Sequence, residues 1–296
     1  MGSKTILLTG GSGFIGRNIH ESFLVDKYNV LSPSSSELNV ADEKSVADYL
    51  HKHTVDVVIH AAVKPSHRNA KDFSNIFYIN TRMFFNLEKY KECFEKILVI
   101  GSGAIYDNRN YQPKMKEDSW MEHIPVDEHG YCKYVCEKVI AHCSNIYDLR
   151  VFGIFGKYED YAIRFISNAI CKVLFNLPIS IKQNRKFDYL YVNDFMPILD
   201  WFVQNEPKYK AYNITPDSSI SLYDLAVIVR EVAGKPLHPI VVSQEGMGLE
   251  YSGDNSRLKS ELDLNLTPLA LAIRDLYIWY SDNKEQLDRN LLLIDK

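Results

Sequence analysis

The chain has 296 residues, 46% of them apolar, and 34 basic against 38 acidic side chains give a net charge of −4. That length holds one large α/β unit or two lobes, and the ordinary apolar fraction excludes a disordered chain. The negative balance without any basic block argues against a nucleic-acid partner, and no apolar run approaches the ~20 residues of a membrane span.

Thr5-Ile6-Leu7-Leu8 reads as the first strand, and no cleavable apolar segment precedes it. Ile15, Ile19 and Phe23 then fall four apart, as on one helix face. Val30-Leu31 is a short second strand, Val55 to Ile59 a third and Ile97 to Ile100 a fourth. Continuous β-branched runs of this kind suit strands buried on both faces. Strands alternating with helical stretches predict a parallel sheet with right-handed crossovers. Leu149 to Phe155 is a fifth strand, Arg164 to Phe175 a helix, and Lys186 to Val192 a further strand. Leu222, Leu225, Ile228 and Val232 give Ser221 to Ala233 the spacing of a helix. The later third is expected to build a second lobe, with the chain crossing back near Tyr189–Thr215.

The five cysteines, Cys93, Cys132, Cys136, Cys143 and Cys171, are odd in number and none pair as CxxC. Neither a disulfide framework nor a zinc site is indicated, and a reducing cytoplasm fits best. His51, His53 and His142 have no partners at metal spacing.

Gly10, Gly13 and Gly16 form GxxGxxG between the first strand and the helix that follows. A sharp turn and a close approach to a pyrophosphate both need residues without a Cβ, and the helix start offers free N–H groups to the anion. Near the end of the second strand a dinucleotide fold selects its cofactor. An acid there would bind a ribose 2′-hydroxyl. Here the segment reads VLSPSSSEL, with no acid before Glu37. Ser32, Ser34 and Ser35 offer hydroxyls to a 2′-phosphate and Arg17 offers charge, which favours NADP over NAD.

Together these segments resemble the extended short-chain dehydrogenase/reductases, the nucleotide-sugar epimerases, dehydratases and 4-reductases. TGGSGFIG (Thr9–Gly16) resembles the family's glycine loop, VIHAA (Val58–Ala62) its third-strand motif and GSGAIY (Gly101–Tyr106) its fourth-strand motif. YLYVND (Tyr189–Asp194) and YNITPDSSISLYDLA (Tyr212–Ala226) resemble two later signatures. The resemblance implies a Rossmann-type, doubly wound parallel sheet with a smaller C-terminal substrate-binding lobe. The first would span 1–160 and about 186–216, the second about 161–185 and 217–296. It places the cofactor against Gly10, Gly13, Phe14, Ile15, Gly16, Arg17, Ser32, Ala61, Ala62, Asn80 and Lys133. It also implies a soluble cytoplasmic enzyme, a homodimer, and a nucleotide-sugar substrate.

The family's catalytic Ser/Thr carries over to Ser102, four residues before Tyr106. Its YxxxK helix, followed by a glutamate four residues after the lysine, carries over to PVDEHGYCKYVCEK. Lys133, Glu137 and Gly130 match, and His129 stands at the tyrosine position. Tyr134 and Lys138 also read YxxxK, but that register loses the glutamate and misplaces the glycine. Tyr131, two residues from His129, faces nearly the opposite side of a helix at ~100° per residue. In the family the tyrosine exchanges a proton with the sugar hydroxyl while a hydride moves at nicotinamide C4. A histidine can act as acid or base from an unperturbed pKa of ~6.5, and Lys133 disfavours its charged form.

Family 4,6-dehydratases have a glutamate two residues after the serine, and GDP-fucose synthases a cysteine. Ala104 can do the work of neither. Reduction at C4 of a ketosugar therefore leads, with 4-epimerisation second and a cofactor-binding protein without turnover as the opposing class. Arg164 and Arg185 are candidates to hold the substrate phosphates. Arg185 is offset by two residues from the usual clamp position, which Phe187 occupies. Gly153 stands where the family often has a substrate-contacting asparagine. His60 reads as a buried strand residue.

Overall fold

The computed structural model describes residues 3–66 and 69–294. In chain order, β1 (Thr5–Thr9), α1 (Phe14–His20), α2 (Leu24–Lys27), β2 (Asn29–Leu31), α3 (Glu43–Leu50), β3 (Val57–His60), α4 (Ile76–Glu88), β4 (Lys96–Ser102), α5 (Glu128–Ile140) and β5 (Ile146–Val151) alternate as expected. The six-stranded sheet has the order β10-β5-β4-β3-β1-β2, with β10 being Ala211–Ile214, and every pairing is parallel. The order reverses between β1 and β3. Their C-terminal ends frame the crevice where such sheets bind ligands.

Successive strand residues feed two different cores. Ile6, Leu8, Val57, Ile59 and Leu98 join one cluster, while Leu7, Val58, Ile97 and Val99 join the other. A strand covered on both faces needs apolar side chains at every position, which explains the runs TILL and ILVI.

Three expected boundaries move. The first helix ends at His20, and Phe23 is 45% exposed rather than on the buried face. The LRVFGIF run is two strands, β5 and β6 (Gly153–Phe155), because the chain leaves the main sheet at Phe152 to pair β6 with β9 (Tyr189–Tyr191). Lys186–Val192 likewise splits into β8 (Lys186–Phe187) and β9, and Val192 opens α7 (Val192–Gln204), a helix that contains Pro197. After α7 the chain re-enters the sheet as β10.

Outside the sheet lie α6 (Phe165–Leu174), β7 (Ile179–Asn184), β11 (Ile220–Ser221), α8 (Leu222–Val232), β12 (Ile240–Met247), α9 (Ser256–Lys259) and α10 (Leu269–Asp282). The strands pair as β7 with β12 and β8 with β11. Ile170, Leu225, Ala226, Ile273 and Leu276 from these helices belong to the same cluster as Ile6 and Leu149, so they share a core with the sheet. Among the described residues no helix is long and apolar enough to cross a membrane.

Candidate active site

The glycine loop folds back on the end of β3. Gly10 has φ +75°, and a Cβ there would stand 2.6 Å from the Ala62 nitrogen, so the turn itself excludes a side chain. Gly16 is equally closed, since its Cβ would meet the Gly10 oxygen at 2.4 Å. Gly13 differs. It is exposed, its φ of −79° suits any residue, and a Cβ would find only the Gly10 oxygen, at 3.3 Å. The fold does not demand glycine at 13; an approaching ligand backbone-to-phosphate would, and the loop therefore fits the cradle of a dinucleotide. Phe14 and Ile15 open α1 half-buried against the core.

At the end of β2, the Ser32 hydroxyl lies against this loop. A Cβ on Gly11 would fall 1.9 Å from its Oγ, and His20 Nε2 is 3.0 Å from the same atom. Ser34 is already committed, donating its N–H and Oγ–H to Glu37 at 2.8 Å each. The Arg17 guanidinium stacks on Tyr158, 3.5 Å from the ring centroid. Ser32 and His20 are thus the polar pair beside the loop, and His20 carried no motif by which sequence reading would find it.

Asn80 on α4 is buried and clamps the loop after β3, accepting from the Lys64 N–H at 2.7 Å and donating to the Lys64 carbonyl at 3.1 Å. His60 is buried with Nδ1 2.8 Å from Thr9 Oγ1, and burial pushes its pKa down to about 3. It is a neutral strand residue, bonded to β1.

Helix α5 is seated by two contacts. Asp127 caps it, accepting from the Gly130 N–H at 2.8 Å. Gly130 lets the first turn sit on the turn after β4, where any Cβ would meet the Ala104 oxygen at 2.6 Å. This packing carries His129 to the Ser102 end of the sheet. Ser102 caps that turn, its Oγ accepting from the Ala104 N–H at 3.2 Å. One helical turn beyond His129, Lys133 donates to the Ile100 carbonyl at 3.1 Å. Beneath it is a water-sized cavity of about 20 Å³ lined by His60, Asn80, Cys132, Cys136 and Asp148. Tyr134 lies elsewhere, against Trp120, with Lys138 over both rings. Tyr131 is exposed and stacks on Phe77 at 5.1 Å.

Beyond Lys133, Glu137 anchors the helix to β5. Arg150 is fully buried and binds Glu137 and Asp148 at 2.8 Å each, while donating to Tyr106 Oη at 2.8 Å and to the Glu117 carbonyl at 2.7 Å. Burial pushes the Glu137 pKa up to about 8 against the pull of Arg150. Removing one member of such a buried set costs about 3–5 kcal/mol, because the partner charge is left unpaired.

His129 is half-buried. Desolvation first, then Lys133 and Arg164, lower its pKa to about 4, with Asp127 pulling the other way. At neutral pH it is an uncharged imidazole. Arg164 is exposed at the start of α6, and its charge reaches both His129 and Tyr189. Arg185 lies against Gly248, with its charge felt by Tyr111. Gly153 has no room for the family's asparagine, since a Cβ would stand 2.3 Å from the Asp188 oxygen. A larger cleft of about 320 Å³, between β9 and segments 216–220 and 266–272, is lined by none of Ser102, His129, Lys133, Arg164 and Arg185.

A glycine loop at the switch point of a parallel, doubly wound sheet defines a Rossmann-type nucleotide-binding protein. The profile of the NAD dependent epimerase/dehydratase family matches residues 6–215, and the chain belongs to that family. A putative UDP-glucose 4-epimerase of Methanocaldococcus jannaschii is 26% identical over 261 residues, 77% of this chain and 82% of that one. A GDP-L-fucose synthase of Azorhizobium caulinodans is 31% identical over 170 residues, 53% of this chain and 54% of its own. Among solved structures, the GDP-mannoheptose C4 reductase of Campylobacter jejuni with NADP bound superposes with a TM-score of 0.80 at 18% identity. That match covers 94% of this chain and 98% of the reductase, a likeness of fold.

Proposed function

We propose that this protein is an NAD(P)-dependent reductase acting at C4 of a nucleotide-linked 4-ketosugar. The observation that carries the reading is the placement of Ser102 at the C-terminal end of β4 and of His129 and Lys133 in the first two turns of α5, beside a glycine loop whose Gly13 is open to a ligand. A reduced nicotinamide, when bound, supplies the hydride. The chain's residues do the rest. Gly10, Gly13 and Gly16 seat the pyrophosphate, and Lys133 holds the ribose from the side of Ile100. Ser102 donates to the carbonyl oxygen, and neutral His129 orients the same oxygen with its N–H. A neutral imidazole is a poor acid, so His129 positions the ketone and does not protonate it. Arg164 and Arg185 neutralise the nucleotide diphosphate.

Ser32 and His20 favour NADP, because both can face a 2′-phosphate while Ser34 is held by Glu37. The exposed aromatic face of Tyr78 on α4 and Tyr131 on α5 supports a homodimer. The 4-epimerase named among the relatives supports a second reading, in which the same site oxidises and re-reduces C4. NADPH consumption with 4-keto-6-deoxy nucleotide sugars tests the first reading. Interconversion of two 4-epimers without net NADPH loss would replace it by the second.

A further inference from the structure

Two elements carry the candidate catalytic groups, and one buried side chain is tied to both. Ser102 opens a single turn, Gly103–Tyr106, whose last residue is the buried Tyr106. His129 and Lys133 precede Glu137 on α5, by about 12 and 6 Å along the axis at 1.5 Å per residue. Arg150 stands on β5, opposite Gly101 of β4 on one side and Asn213 of β10 on the other. Its Nη1 donates to Tyr106 Oη at 2.8 Å and to the Glu117 carbonyl at 2.7 Å, while its Nη2 lies 2.8 Å from Glu137 Oε1. Its Nε donates to Asp148 at 2.8 Å. Gly101 leaves the space for that carboxylate, since a Cβ there would stand 1.9 Å from Asp148 Oδ1. Tyr106 in turn donates to Asn213 Oδ1 at 2.5 Å, and the Asn213 amide donates to the Met115 and Asp254 carbonyls at 2.8 and 3.0 Å. A guanidinium is a rigid plane, so its two ends fix the separation of what they bind.

We propose that Arg150 is a positioning residue that sets the place of the Ser102 turn relative to the His129–Lys133 face of α5, an inference that deepens the reductase reading and rests on it. Arg150 is fully buried and reaches neither ketone nor cofactor. It acts through Tyr106 on one side and Glu137 on the other. Hydride transfer needs the carbonyl held by Ser102 and His129 to face the nicotinamide whose ribose Lys133 holds. A misplacement of ~1 Å there costs about 10²-fold in rate. Gly130 packed on the Ala104 carbonyl limits how closely the two elements approach. Arg150 limits how far they part. A lysine at 150 would be a point charge without the fork that spans both ends.

Three variants test this, each assayed at a temperature where circular dichroism shows it folded. Tyr106→Phe keeps the ring and removes the bond to the Ser102 turn. Its kcat for ketosugar reduction should fall about tenfold or more, with KM and the NADPH Kd within about threefold of the parent, because α5 stays tied. Glu137→Ala frees α5 instead. Its kcat should fall by a similar factor and its NADPH Kd should rise about tenfold, because Lys133 moves with the helix. Glu137→Gln should recover most of both losses, since burial already draws this carboxyl toward its neutral form and an amide oxygen can still face Nη2. A lowered melting temperature with parental kcat, KM and Kd in the first two variants assigns the set to stability alone and overturns the inference. A Glu137→Gln as impaired as Glu137→Ala also overturns it, leaving the reductase reading intact. Where Glu137→Ala does not fold, the kinetics of Tyr106→Phe decide. A parent that reduces no 4-ketosugar overturns the reductase reading. The NADPH affinities then decide the tether: a rise in Glu137→Ala and not in Tyr106→Phe supports it, and any other pattern overturns it.

Discussion

His129→Phe separates charge from position at the centre of the site. Burial and Lys133 lower the imidazole to about 4 from an ordinary 6.5. At pH 7 the imidazolium is therefore only about one part in 10³. The folded value lies below the unfolded one, so the unfolded chain takes up the proton first as pH falls. The stabilisation is complete above about pH 6.5 and is lost as pH drops toward 4. Between pH 7.5 and pH 5 the parent should lose up to about 2 kcal/mol through this group. Buried His60 adds a loss of the same sign, but it is common to parent and variant and cancels between them. Urea unfolding at pH 7.5 and 5.0 measures the difference: the parent should weaken more than His129→Phe by up to about 2 kcal/mol. The same titration bears on catalysis. Across pH 5.5–8, kcat should show no limb that belongs to His129. Equal acid-weakening of the two proteins would refute the depressed pKa. A kcat that falls through pH 6–7 in the parent and not in His129→Phe would show that the imidazolium is the working form.

Gly13→Val should abolish cofactor binding by calorimetry while far-ultraviolet circular dichroism stays that of the parent, since among the described residues a Cβ at 13 meets only the Gly10 oxygen, at 3.3 Å; unchanged NADPH affinity would remove the cradle. NADPH should bind more tightly than NADH, and an affinity ratio of tenfold or more for NADH, ~1.4 kcal/mol, would reverse the reading of Ser32 and His20. Gly153→Asn should lower the melting temperature by several degrees or prevent folding, because its Cβ meets backbone, with a penalty of about 1–3 kcal/mol or more; an unaltered melting temperature would mean that β6 and β9 can move apart.

The parallel sheet was legible in one dimension for a simple reason. A strand covered on both faces must be apolar through its middle, and Ile6–Leu8 of β1, Val57–Ile59 of β3 and Ile97–Ile100 of β4 are. The glycine loop was legible because its turn leaves no space at Gly10 and Gly16. The register of α5 could also be read, since Gly130, Lys133 and Glu137 face the sheet at helical spacing. Elsewhere local pattern misled. Phe23 continued a fourfold spacing beyond the point where the helix ends, because exposure, not spacing, decides where an apolar residue lies. α7 was hidden by Pro197 and by an apolar run that also suits a strand. The aromatic rings packed beside the turn after Ser102 were not readable at all. Tyr111 and Tyr251 sit in segments without motif, far apart in the chain, and meet only because β8 holds the Tyr251 backbone and Gly103 leaves room for its hydroxyl. Local sequence specifies turns and periodicity through the backbone's own sterics. Which side chains face one another across a cleft depends on long-range packing, and that was decided only by the tertiary structure.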